Sequence, residues 1–175
     1  EAMFRSNEVV PTIPAHLICD GAFVARYGIG IIHPGTRNLA RFERSGYARC
    51  ANRIDELARK LEIEPLALAD TVARHNRFAA AGSDPDFGKG ETELNRFNGD
   101  PDHRPNPCLG PIATPPFVAV AVWPAELGCS AGFATTIDAQ VIDRGGAPID
   151  GLYACGNDMG SIMAGTYPGP GTTLG

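Results

Sequence analysis

The residues best placed to do chemistry lie at the end of the sequence, in GTYPGPGTTLG (residues 165–175). Tyr167 supplies a phenol O–H. Pro168 and Pro170 restrict φ, while Gly169 and Gly171 leave the backbone open to close approach. Thr172, Thr173 and Leu174 then open an apolar segment. The first N–H groups of a helix have no internal partner, so this start suits an anion or a polarised carbonyl. Just upstream, GLYACGN reads as a strand running into a glycine turn at Gly156 and Asn157, where backbone N–H groups can approach a ligand. On residue types alone each feature has a plainer reading. Tyr167 can be an aromatic packed over a rigid turn, Gly156-Asn157 an ordinary strand end, and Thr172 a simple N-cap.

Other chemistries find less support. The five cysteines are Cys19, Cys50, Cys108, Cys129 and Cys155, an odd number without a C-x-x-C pair. A disulfide framework or zinc site is not expected; reduced, buried thiols of a cytoplasmic protein are. His16, His33, His75 and His103 are scattered without metal-ligand spacing, and His75 reads as a helix-face residue. SDPDFG lacks the alternating acidic spacing and final glutamate of a calcium loop. Trp123 ends a strand and is read equally as cavity lining or core. The net charge of −5 shows no basic cluster, so the electrostatic footprint of a nucleic-acid binder is missing. No apolar run is long enough to span a membrane.

These residues need a scaffold, and 43% hydrophobic residues in a chain of 175 can build one. The 21 glycines and 15 prolines predict many turns. EAMFRSNE reads as helix and AHLICD as a short strand; GAFVARYGIGIIHPGTR reads as irregular. In RCANRIDELARKLEI, Ile54, Leu57, Ala58 and Leu61 form one apolar stripe at helical spacing. A second helix begins at Pro65, presents Leu68, Val72, His75 and Ala79, and stops at Gly82. A break at 62–64 makes the two an αα-hairpin. Residues 83–111 form a long polar loop, uncommon in a compact domain unless it is functional or packed on a neighbour. From residue 116 the texture turns to strands: FVAVAVW, GFATT, AQVID with a hairpin turn at RGGAP, and IDGLYACGN. The expected boundary lies near residue 115.

GLYACGNDMGSIMAGTYPGPGTTLG, together with NPCLGPIATPPFVAVAVWPAELGCSAGFATT, GSDPDFGKG and AHLICD, resembles the FAD-dependent dehydrogenase/fumarate reductase flavoprotein superfamily, and TYPGPG its 3-oxosteroid 1-dehydrogenase-like branch. The resemblance covers nearly the whole sequence. It implies an α+β fold: a substrate-covering cap domain over residues 1–115, incomplete, and a returning, partial FAD-binding segment over 116–175. Members are longer and carry an amino-terminal G-x-G-x-x-G that this sequence lacks, so the resemblance implies a carboxy-terminal fragment, inactive in isolation.

The resemblance implies FAD as cofactor and a small cyclic ketone, a 3-oxosteroid, as substrate. It assigns the Tyr167 hydroxyl and the Gly171 N–H to the ketone oxygen, where they would stabilise an enolate. Gly156 and Asn157 would lie along the flavin ribityl chain, with Thr172, Thr173 and Leu174 at the start of a helix facing the flavin. The family's catalytic base, a second tyrosine, is expected upstream of Glu1; Tyr27 and Tyr47 do not match it. One alternative is a fumarate-reductase-like enzyme, in which an arginine stands where this sequence has Tyr167 and clamps a carboxylate. Another is a folded cap without catalysis. Apolar strands such as FVAVAVW, deprived of a covering half, would favour self-association.

Overall fold

The computed structural model describes residues 2–125 and 130–163, which form two compact units divided between Trp123 and Pro124. The first is a small sheet with helices on both faces. It comprises α1 (Ala2–Val9), β1 (Ala15–Cys19), α2 (Gly21–Tyr27), α3 (Ala40–Arg44), β2 (Ala48–Ala51), α4 (Ile54–Lys60), α5 (Pro65–Ala81), α6 (Glu93–Phe97) and β3 (Phe117–Val122).

β3 is the middle strand. It pairs antiparallel with β1, Ala15 opposite Val122 and Cys19 opposite Val118, and with β2, Ala48 opposite Val120 and Ala51 opposite Phe117. The two-residue period of a strand sorts FVAVAV onto two faces. Val118 and Val120 pack with Val24 of α2, Phe42 of α3, Cys19 and Cys50. Phe117 and Ala119 pack with Leu57 of α4 and Ala51, beside a cluster of Ala58, Leu68 and Val72 from α4 and α5. The expectation that FVAVAVW lies bare is therefore corrected. Phe117 to Val120 are buried, both edges of β3 are paired, and the strand belongs to the unit that precedes it.

The αα-hairpin is as the sequence predicts. Pro65 opens α5, the Glu64 side chain accepts the Ala67 N–H at 2.7 Å, and Gly82 closes the helix in the left-handed region. Two other readings are corrected. GAFVARY is a helix, because Asp20 caps it by accepting the Phe23 N–H at 2.8 Å. RCA is strand β2, and the helix begins only at Ile54.

The long loop is built from its own polar side chains. Buried Asn106 donates to the carbonyls of Gly82 and Lys89, each at 3.1 Å, and accepts the Cys108 N–H at 2.9 Å. Asn76 of α5 exchanges two hydrogen bonds with the Ile112 backbone, and the His75 ring bonds the Gly110 carbonyl at 2.8 Å. His75 is thus a loop anchor. Asn106→Ala leaves three part-buried backbone groups without that partner and is expected to cost about 1–3 kcal/mol in urea unfolding.

The second unit contains the antiparallel pair β4 (Gln140–Ile142) and β5 (Pro148–Tyr153), joined by a turn in which the Asp143 carboxylate accepts the N–H groups of Gly145 and Ala147. GFATT, expected as a strand, contributes only single bridges, Phe133 to Met159 and Thr135 to Val141.

Cys19, Cys50, Cys108 and Cys155 are free thiols. Burial, then the neighbouring Asp20 and Cys50, push the Cys19 thiol up to about 12. At pH 8 the thiolate needed for alkylation is scarce there. Peptide mapping after brief iodoacetamide treatment should find Cys155, which is exposed, modified and Cys19 intact.

Candidate functional site

Gly156 and Asn157 lie on a short 3₁₀ turn, Gly156–Asp158, directly after β5. The Phe133 N–H donates to the Asp158 carbonyl and the Gly160 N–H to the Phe133 carbonyl, both at 2.9 Å, so a neighbouring segment braces the turn. Gly156 has φ +58°, and a Cβ there would meet no atom within 4 Å. Both residues are exposed. A left-handed glycine facing open space at a strand end is a surface on which an extended polar cofactor chain can lie against the backbone. The residues present therefore fit the expected contact. Tyr167, Gly171, Thr172, Thr173 and Leu174 lie outside the described residues.

In the first unit, functional geometry gathers around α2. Buried Asp20 holds three amides: its side chain accepts from Phe23 and also from Ala113 and Thr114 at 2.9 and 2.8 Å. The Gly21 N–H returns a bond to the Thr114 carbonyl at 2.8 Å. One carboxylate thus fixes the start of α2 and ties it to the approach to β3. At the other end of α2, the Tyr27 hydroxyl donates to Asp100, which also pairs with Arg26 at 2.7 Å and accepts the Asp102 N–H at 2.9 Å. The Tyr27 bond, the Asp102 amide and Arg26 together hold the Asp100 carboxyl below the usual carboxylate range. The Tyr27 phenol is raised, by desolvation first and then by its bond to Asp100. A proton acceptor needs the opposite shift. Tyr47 is engaged elsewhere, its hydroxyl accepting the Ile31 N–H at 3.1 Å.

Sequence reasoning missed Asp20 and the Tyr27–Asp100–Arg26 cluster. An aspartate before a helix start is a readable cap signal. Nothing local announces a pair separated by 73 positions.

α2 and the loop 89–111 enclose a cleft of about 840 Å³ within this unit. Its walls include Phe23 and Tyr27, whose rings stand 5.0 Å apart, together with Pro101, Pro107, Pro111 and Cys108.

The chain belongs to the FAD binding domain family, which it matches over residues 1–174, and FAD is the cofactor this membership implies. Among individual proteins, it is 39% identical over 163 residues to the 3-oxosteroid 1-dehydrogenase of Mycobacterium tuberculosis, covering 93% of this chain and 29% of that protein. It is also 39% identical over 159 residues to the 4-oxocyclohex-2-ene-1-carboxylate 5-dehydrogenase of Sinomonas cyclohexanicum, covering 91% of this chain and 27% of that one. The crystal structure of 3-ketosteroid delta1-dehydrogenase from Sterolibacterium denitrificans, in complex with 1,4-androstadiene-3,17-dione, superposes with a TM-score of 0.92 at 34% identity, over 99% of this chain and 31% of that one. A flavocytochrome c3 fumarate reductase shares the fold, with a TM-score of 0.55 at 21% identity over 92% of this chain and 25% of that one. The chain thus spans less than a third of the length of the curated relatives described. Among the described residues, no helix is long and apolar enough to cross a membrane.

Proposed function

We propose that this chain is the carboxy-terminal part of an FAD-dependent dehydrogenase that removes two hydrogens from adjacent carbons of a cyclic ketone, a 3-oxosteroid. The observation that carries this reading is the TM-score of 0.92 over 99% of the chain to a 3-ketosteroid dehydrogenase. The 39% identity to a 3-oxosteroid 1-dehydrogenase supports it. The first unit, which ends at Trp123, serves as cap over the substrate, and the second as the return to the cofactor-binding domain. The free thiols fit a cytoplasmic setting.

Dehydrogenation beside a ketone begins with acidification of the neighbouring carbon. The Tyr167 O–H and Gly171 N–H donate to the ketone oxygen and stabilise the negative charge that develops there, as an oxyanion hole does. When bound, FAD supplies the hydride acceptor. Gly156 and Asn157 would hold its ribityl chain, and a helix start at Thr172, Thr173 and Leu174, as the family resemblance implies, would favour negative charge near the ring. The proton goes to a base that neither Tyr27, whose hydroxyl donates to Asp100, nor Tyr47, which does not match the family's second tyrosine, supplies. A dicarboxylate reductase is disfavoured by Tyr167, which stands where that chemistry places an arginine to grip a carboxylate.

The test is anaerobic titration of the full-length holoprotein with 4-androstene-3,17-dione. Loss of the oxidised flavin absorbance is expected. An unchanged spectrum, with bleaching restored by dithionite, overturns the reading.

A further inference from the structure

None of the side chains lining the cleft between α2 and residues 89–111 has a role in the chemistry above. The cleft's volume of about 840 Å³ falls within the range of small-molecule sites. Two carboxylates and two permanent cations line it, and they are not equally available. Asp20 is buried and spends its oxygens on three backbone amides. The Asp100 side chain is only 11% exposed and accepts from Tyr27, Arg26 and the Asp102 N–H. Arg26 pairs with Asp100 yet keeps 54% of its side chain exposed, with Asp102, which does not line the cleft, 3.9 Å away. Lys89 is exposed and has no carboxylate partner among the described residues. The charge that an entering molecule meets is therefore positive.

The neutral groups add to this. Asn95 spends its side-chain oxygen on the Gly90 N–H at 3.1 Å, and its NH2 makes no hydrogen bond among the described residues. His103 turns Nε2 to the Leu109 carbonyl at 2.8 Å, so that nitrogen carries a hydrogen and is already used. Asn98 is the exception: its NH2 donates to the Leu94 carbonyl, which leaves its oxygen open. Beside these groups stand Phe23 and Tyr27, each about two-fifths exposed, and Pro101, Pro107 and Pro111. Rigid apolar faces lose little freedom against a flat ligand, and an unpaired ammonium with an open amide donor asks for a negative acceptor.

We propose that this cleft is a binding site for an aromatic carboxylate, with its ring against Phe23 and Tyr27 and its charge on Lys89. The ligand class comes from the cleft's own donors and does not depend on the ketone chemistry proposed above. Cys108, a half-buried thiol of the same wall, reports on occupancy.

The experiment follows iodoacetamide labelling of Cys108 in the full-length holoprotein by peptide mass spectrometry. The additions are 2-naphthoate, the neutral 2-naphthalenemethanol, or neither. Saturating naphthoate is expected to slow labelling about tenfold by closing access to the thiol. The neutral analogue at the same concentration is expected to leave the rate unchanged. No protection by naphthoate overturns the proposal. Equal protection by both compounds also overturns it, because the wall then reads the rings and not the charge. Lys89→Met keeps the stem and removes the ammonium. It is expected to raise the naphthoate concentration for half-protection about fivefold, the upper range for one exposed ion pair. Lys89→Arg is expected to keep the wild-type value, as a merely structural role for the side chain would not require. Protection at an unchanged concentration in Lys89→Met places the carboxylate elsewhere and overturns the proposal.

Discussion

Tyr167→Phe in the full-length holoprotein is expected to lower kcat with a 3-oxosteroid by about 10²–10³-fold, the usual cost of losing one donor to a developing oxyanion. The phenyl ring keeps the volume and removes only the O–H. The ketone oxygen carries little charge in the ground state and much more as the neighbouring C–H bond breaks. The lost bond is therefore felt mainly in the transition state, and kcat and kcat/KM should fall together with KM little changed. Flavin absorbance should match the wild type, which separates lost chemistry from lost cofactor. Turnover within about threefold of wild type would remove Tyr167 from the mechanism, since an oxyanion donor costs far more than that.

Asp20→Ala is expected to be the most damaging single change to the first unit. The carboxylate is buried and accepts three backbone N–H groups at 2.8–2.9 Å. Hydrogen bonds to a charged acceptor contribute about 1.5–3 kcal/mol, and the orphaned donors add a desolvation penalty. A loss of at least about 3 kcal/mol follows, readable as a lower urea midpoint of the full-length protein with unchanged m-value. Asp20→Asn should lose less, because its single carbonyl oxygen can still cap α2 while its amide cannot accept from Ala113 and Thr114. If Asp20→Ala unfolds at the wild-type midpoint, the carboxylate does not tie α2 to β3.

Long elements with complete signals were legible from the sequence. α5 has Pro65 at its start, apolar positions four apart and Gly82 at its end, and each of these is local. α2 spans only seven residues, too few for periodicity to outweigh the glycines around it, so its cap was the one usable clue. The helix reading of RCANRIDELARKLEI began too early because Ala48, Cys50 and Ala51 are small enough for either state; pairing with β3 decides for strand. Placing the boundary before β3 followed composition, whereas β3 takes its partners from β1 and β2, far back in the sequence. The donors at Tyr167 and Gly171 came from resemblance to a family. The Tyr27–Asp100 pair depends on tertiary folding alone.

The strand order β1–β3–β2 also constrains when the first unit can assemble. The two outer strands never touch one another in a ladder; each waits for β3, whose residues are made last within that unit. A nascent chain halted before Phe117 has both edges and the helical hairpin but no sheet, and its Val24, Phe42 and Leu57 have no floor to rest on. Closing a separation of about a hundred residues in a single step makes this a high-contact-order unit, slow to form relative to its helices. Pulse proteolysis of stalled ribosomal complexes should show protection arising abruptly once Val122 has cleared the exit tunnel.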